Sequence, residues 1–276
     1  EDLDLTLPVA TLNTTTPVNM VCVAGAGVND YTCSLGRNLV LGDIPEGQVS
    51  VSIALRDAAQ NTGFGSATLT LDYTNPSLVS ATPSQAYYRA GQTITYTVSV
   101  SEPLSGSPGR PTVRVYLGGV LQAGYFGAPS SETSTSFTYT KAITADGTYT
   151  VQVDLTDRAG NTVTNAGSPT GWMIDAAAPV VAQVSLTTNN PNFNTLAKNG
   201  EVVTAVFTVN ENPPSNPTVT IGGQTMSFVS KAGSGPYTFT YNRTAASGDG
   251  DGSKSVIVQT TDTAGNVTVY NFTSTV

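Results

Sequence analysis

One six-residue phrase is written three times in this sequence. TDRAGN occupies residues 156–161, TDTAGN residues 261–266, and a weaker copy, RDAAQN, residues 56–61. The aspartates stand at 57, 157 and 262, a step of about 100 residues, which is the period of a domain and not of a solenoid repeat. Each copy follows an alternating run (QVSVSIALRD, GTYTVQVDLTD, SKSVIVQTTD) and precedes another (FGSATLTLDY, NTVTNAGSPTGWMID, NVTVYNFTSTV). Val, Ile and Leu alternating with Thr and Ser at period two is the pattern of a strand with one buried face. The phrase is therefore predicted to be the tip of a β-hairpin, once per domain.

The second and third units match further. GQTITYTVSVSEPL from Gly91 aligns with GEVVTAVFTVNENPP from Gly200, and PTVRVYLGG aligns with PTVTIGG. Both units open after a Pro-containing stretch, DYTNPSLVSATPS and IDAAAPVVAQVSLTTNN, where proline ends strand pairing and stiffens a linker. The boundaries that follow are 1–74, 75–176 and 177–276. Several short strands with turn signals in units of this size indicate sandwiches. The first unit is shorter, reads AAQN for AGN and lacks a SEP segment, so it is expected to be a divergent form.

Composition excludes several functions. The formal charge is −8, and no basic patch exists to displace counterions from nucleic-acid phosphates. Acidity suits an exposed protein that meets divalent cations. The chain has no histidine, hence neither the commonest general base nor the commonest transition-metal ligand. No lysine stands in an S-x-x-K motif, and no Gly-rich phosphate loop runs from strand to helix. The single tryptophan, Trp172, is expected to pack a linker junction and not to stack on sugar. Catalysis is not expected. No apolar run reaches membrane length, so no membrane insertion is expected. The opening EDLDLTLP carries no signal peptide and is expected to be a cut inside a longer protein. Cys22 and Cys33 form a close pair that reads as a disulfide of an oxidising compartment, stabilising by about 3 kcal/mol on the chain-entropy model; two separate buried thiols are the alternative.

In the order of these pieces the chain resembles the bacterial Ig-like (Big-type) tandem repeats of large secreted and surface adhesins. The residues carrying the resemblance are DRAGN and DTAGN, SEP at 101–103, and the D-x-x-x-P linkers at 72–76 and 175–179. The resemblance implies an all-β fold of three tandem immunoglobulin-like β-sandwich domains in an elongated array. It also implies an extracellular, bacterial cell-surface location, a mechanical or adhesive role, and neighbouring Ig-like domains of a longer chain as partners.

Two readings of the phrase stand side by side. In the first it is turn chemistry alone: aspartate accepts backbone N–H groups, and Gly160 and Gly265 supply a positive φ. Gln60 replaces that glycine in the first copy, so there the turn is expected to differ or Asn61 to take the left-handed position. In the second, the sandwich of the resembled family brings linker, SEP-type segment and hairpin to one end. This would gather Asp72, Glu102, Asp157 and Asn161 at one junction, and Asp175, Glu211, Asp262 and Asn266 at the next. Carboxylates with amide oxygens are hard donors suited to Ca²⁺, and adhesins of the resembled family carry calcium at such places. Asp57 and Asn61, with Asp2 or Asp4, are a weaker set. The run SGDGDGS, 247–253, lacks the closing glutamate of a calcium loop and reads as a solvated turn. An alternative function is recognition of a glycan or protein on a host or prey cell through GGVLQAGYFGAPSSETS. Tyr125 and Phe126 there are either exposed anchors or core residues, and their exposure decides between the two.

Overall fold

The computed structural model describes residues 8–13, 18–27, 30–35, 44–106, 109–143 and 145–273. Among these the chain is built from strands, apart from turns and one short 3-10 segment, Ser247–Asp249. None of the described residues form a helix long and apolar enough to cross a membrane. By contacts the chain divides into two compact units. One comprises 1–78 with 100–111 and 154–166, the other 79–99 with 112–153 and 167–276.

The first unit contains β1 (Val9–Asn13), β2 (Val18–Ala24), β3 (Tyr31–Ser34), β4 (Gly47–Arg56) and β5 (Thr62–Leu71), in the sheet order β3-β2-β1-β4-β5. Strand β4 alternates Val49, Val51, Ile53 and Leu55 with Gln48, Ser50, Ser52 and Ala54. Its register sets Val51 opposite Leu12 and Ile53 opposite Ala10, so these apolar residues share one face. Leu12, Ile44, Val49 and Leu71 form the core there. Cys22 and Cys33 stand directly opposite each other on β2 and β3 and are joined in a disulfide, which excludes the separate-thiol alternative.

The next strands are β6 (Leu78–Pro83), β7 (Tyr87–Tyr88), β8 (Thr93–Val100), β9 (Thr112–Leu117), β10 (Val120–Leu121), β11 (Ser131–Glu132), β12 (Ser136–Ala142), β13 (Gly147–Thr156), β14 (Thr162–Val163) and β15 (Trp172–Ile174). They make one sheet of order β10-β9-β13-β15-β7, with β14 on β13, and another of order β11-β12-β8-β6. Trp172 is buried, its ring stacked on Tyr149 at 5.3 Å and 9°. It therefore packs a core, not a linker junction. The reason is parity: in β15, Trp172 and Ile174 point inward and Met173 outward.

The second unit ends with β16 (Val181–Thr188), β17 (Val202–Val209), β18 (Thr218–Ile221), β19 (Gln224–Thr225), β20 (Ser227–Ala232), β21 (Tyr237–Thr244), β22 (Ser255–Thr261) and β23 (Val267–Thr273). Sheets β16-β17-β21-β20 and β19-β18-β22-β23 contribute Phe207 and Phe239, and Val219 and Val258, to one buried cluster. Two antiparallel sheets closed on a shared core in this order are an immunoglobulin-like sandwich. Phe207 stacks on Phe239 and Tyr241 at 5.6 and 5.8 Å. Phe239 is fully buried, so Phe239→Ala is expected to cost about 3–5 kcal/mol of stability, read from urea unfolding followed by circular dichroism.

Candidate metal centres at the hairpin turns

All three phrases close hairpins, and in the same way. The aspartate N–H donates to the asparagine carbonyl at 3.0 Å (Asp57 to Asn61), 3.0 Å (Asp157 to Asn161) and 3.1 Å (Asp262 to Asn266). The N–H of the fifth residue of the phrase returns to the aspartate carbonyl from Gln60 (3.0 Å), Gly160 (3.3 Å) and Gly265 (3.3 Å). One carboxylate oxygen accepts the asparagine N–H, at 2.7, 2.9 and 2.8 Å; the other accepts the asparagine side-chain amide, at 2.7, 2.8 and 2.7 Å. The fifth position has φ of 96° at Gly160, 91° at Gly265 and 72° at Gln60. The first turn thus does not differ, and Gln60, not Asn61, is left-handed. The shared hydrogen bonds dictate that φ, at a side-chain cost of about 1–2 kcal/mol. Arg56 Nη1 donates to Gln60 Oε1 at 2.9 Å.

The asparagine amide reaches further. Asn161 Nδ2 also donates to the carbonyls of Asp72 (3.1 Å) and Thr74 (3.3 Å), and Asn266 Nδ2 to those of Asp175 (2.7 Å) and Ala177 (3.3 Å). One side chain ties hairpin to linker in both places. Polar residues ahead of the glutamates reinforce the tie. Ser101 Oγ accepts the Ser77 N–H at 2.9 Å, and Asn210 Oδ1 accepts the Val180 N–H at 2.7 Å. The linkers are also held on their other side, where Glu46 accepts from Thr74 Oγ1 at 2.7 Å and Asp146 from the Ala176 N–H at 3.2 Å. Arg89 Nη1 donates to the Gly265 carbonyl at 2.8 Å. Sequence reasoning missed Asn210, Glu46, Asp146 and Arg89, and placed Ser101 there only as part of the SEP segment. Glu46 and Asp146 did carry a signal: each immediately precedes a positive-φ glycine, Gly47 or Gly147, that opens an alternating strand.

The predicted carboxylates do meet. Asp72, Glu102 and Asp157 each offer an oxygen within 4.8 Å of the others, and so do Asp175, Glu211 and Asp262. Asp157 and Asp262 are buried; the other four are half-buried. Burial pushes the Glu102 carboxyl up, and the charges of Asp72, Asp157 and Glu46 push it further, against a lowering hydrogen bond from Ser101. Glu211 is raised by burial, then by Asp262 and Asp175. Asn161 and Asn266, expected as ligands, spend their amide nitrogens on the aspartates and the linker carbonyls. Asp2 and Asp4 lie outside the described residues. In the acidic run, Asp249 accepts from the Ala246 N–H at 2.8 Å and pairs with Arg243 at 2.5 Å, so it closes a turn.

Tyr125 is buried and Phe126 half-buried. Their rings pack on each other (5.1 Å), on Trp172 (5.9 and 6.1 Å) and, for Phe126, on Tyr96 (5.7 Å). They are core residues, and the exposure that recognition through them requires is absent.

No protein-family model matches the chain, and no curated protein does. Among solved structures it is similar to the I-band fragment I67–I69 of titin (12% identity, 96% of this chain and 86% of that one, TM-score 0.41). It is also similar to a structure of a 1.5-MDa bacterial ice-binding adhesin (17%, 98% and 85%, 0.42) and to a tetra-tandem repeat from the extending region of a large adhesion protein (18%, 99% and 67%, 0.35).

Two outcomes follow from the turn and its carboxylates. Gln60→Gly relieves a left-handed side chain and is expected to stabilise by about 1 kcal/mol, measured by denaturant unfolding. A raised carboxyl binds its proton more tightly in the folded state. Its contribution thus favours folding below the ordinary glutamate range, about pH 4.3, and turns against folding as pH rises through the folded value. In EDTA at pH 7, Glu211→Gln is therefore expected to raise Tm, and the gap should close as the pH falls below about 4. Thermal melts across that range check it.

Proposed function

We propose that this chain is a non-enzymatic structural and adhesive segment of a bacterial surface or secreted protein. Its three Ig-like units, 1–74, 75–176 and 177–276, stand in tandem, and Ca²⁺ at each linker stiffens the junction. The observation that carries this reading is the origin of each carboxylate triplet. One member comes from a linker, one from the segment after a buried strand, and one from the hairpin 55 or 51 residues further on. A cation that draws the three together fastens three stretches of chain at once.

The donor set suits the ion. Ca–O distances of about 2.3–2.6 Å let two ligands of one ion stand up to about 5 Å apart, and the triplet oxygens lie within 4.8 Å of each other. Carboxylates are hard donors, and Ca²⁺ tolerates irregular geometry and fills remaining positions with carbonyls and water. The bound ion would supply the positive charge that three crowded carboxylates lack. Asp157 and Asp262 would hold it from the hairpin side while their second function, closing the turn, stays intact. Asn161 and Asn266 keep the linker carbonyls in place beside it. An extracellular location agrees with the disulfide.

Thermal unfolding and small-angle scattering in EDTA and in millimolar Ca²⁺ test the reading. Ca²⁺ is expected to raise Tm by ligand linkage and to lengthen and stiffen the particle. Asp72→Asn with Asp175→Asn should abolish both effects without removing a turn-closing aspartate. Identical melts and scattering in the two conditions would leave the aspartates as turn residues only.

A further inference from the structure

The first sheet turns an uncharged, partly apolar face to solvent. Its inward residues Ala10, Leu12, Cys22 and Val49 are buried. On the opposite face, four strands set apolar residues side by side. Phe64 stands opposite Ala54, Ala54 opposite Val9, and Val9 meets Val21 where the register of Ala10 with Met20 continues. Val23 lies two positions further along β2. Phe64 is 82% exposed, Val21 61%, Val9 59% and Val23 56%. Around this row the outward side chains are Ser, Thr, Asn and Gln. Among the described residues the one charge on the face is Arg56, at its hairpin end.

The last sandwich provides the comparison. There Gln259 takes the place of Ala54, between Val269 and Thr218. In the middle of the chain, counting back from the hairpin aspartates, Asp154 takes it. Those faces break the row with a polar or charged side chain, and the first does not. A strand face turned to water has no structural need of a phenylalanine and three valines. Contiguous exposed apolar residues rimmed by polar ones mark contact surfaces.

We infer that this face is where two copies of the chain pack, sheet on sheet. The row is complementary to itself, with a phenylalanine at one end, two valines at the other, and small Ala54 beside Val9 between them. A twofold axis parallel to the strands, between β1 and β4, sets Phe64 of each copy over Val21 and Val23 of the other, and Ala54 over Val9. The face is also large enough. Its five strands hold four to ten residues each. At about 4.8 Å between strands and about 3.4 Å per residue they cover roughly 600 Å², so two copies bury about 1,200 Å², the low end of specific interfaces. Short Ser and Thr side chains let two sheets approach to the usual spacing of about 10 Å. Charge favours the same place. Each copy carries a formal −8, so two copies repel, and this face adds no carboxylate to that repulsion. Such a dimer joins two chains side by side and depends on no cation.

Sedimentation equilibrium of the whole chain in EDTA, from micromolar to near-millimolar, tests this. A monomer–dimer equilibrium is expected that tightens with added NaCl, because salt screens the repulsion and leaves the apolar contact. Phe64→Lys is expected to weaken it by about tenfold or more, and so is Val21→Glu. The double variant should recover part of the loss, since the axis sets each position over the other in the partner copy. Val269→Lys, in the equivalent row of the last sandwich, should change nothing. All three positions are exposed, and circular dichroism melts verify that the variants stay folded. A chain that is monomeric at every concentration would overturn the inference. So would a dimer that survives Phe64→Lys or a double variant that recovers nothing. Slowed hydrogen exchange at alternate amides of the edge strand β5 would also overturn it, because that is the mark of edge-to-edge strand pairing.

Discussion

An aspartate carboxylate that accepts both the backbone N–H and the side-chain amide of the asparagine in its own hairpin is the interaction on which this chain is organised. In the second and third turns the same asparagine amide then reaches across to two carbonyls of the preceding linker. Turn closure and linker placement are therefore one hydrogen-bond network, not two. Buried hydrogen bonds to a charged acceptor are individually strong, and an unmade partner in such a place is costly. That explains how Asp157 and Asp262 sit almost fully buried. It also makes the placement of residues 72–74 and 175–177 a property of the second and third hairpins.

The acidic neighbours work against this order. Glu102 and Glu211 are brought to the same place by short polar contacts at Ser101 and Asn210, and their carboxyls are raised because burial and like charge both oppose ionisation. A structural hairpin alone has no need of these glutamates. Their placement leaves a local excess of negative charge that protonation or a cation relieves, and it couples the linker to the chemistry of the surrounding solution.

Much of this was legible in the sequence because period-two alternation survives without knowledge of the partner strand. The hairpins and the disulfide follow from residue type, spacing and order, and the two carboxylate triplets from the sandwich topology that the family resemblance implies. What was not legible depends on φ and on parity. Gln60 was expected to disturb its turn, but the hydrogen-bond set tolerates a left-handed glutamine. Trp172 was expected at a junction, but one residue of strand parity turns it into the core. Tyr125 and Phe126 lie in a Gly-rich stretch that reads as a loop, and only the ring contacts reveal that it folds back over Tyr96 and Trp172. Arg89 gave no signal at all, since its contact with Gly265 spans 176 positions.

Under the load that the proposed spacer role implies, the disulfide would have a consequence of its own. Cys22 and Cys33 are 11 positions apart on neighbouring strands. A polypeptide drawn taut lengthens by about 3.3–3.6 Å per residue, so the loop closed by this bond withholds roughly 35–40 Å of extension. However far the rest of the first unit is pulled open, that stretch stays short until a reductant reaches it, and the reach of the chain under tension becomes a function of the redox state around it.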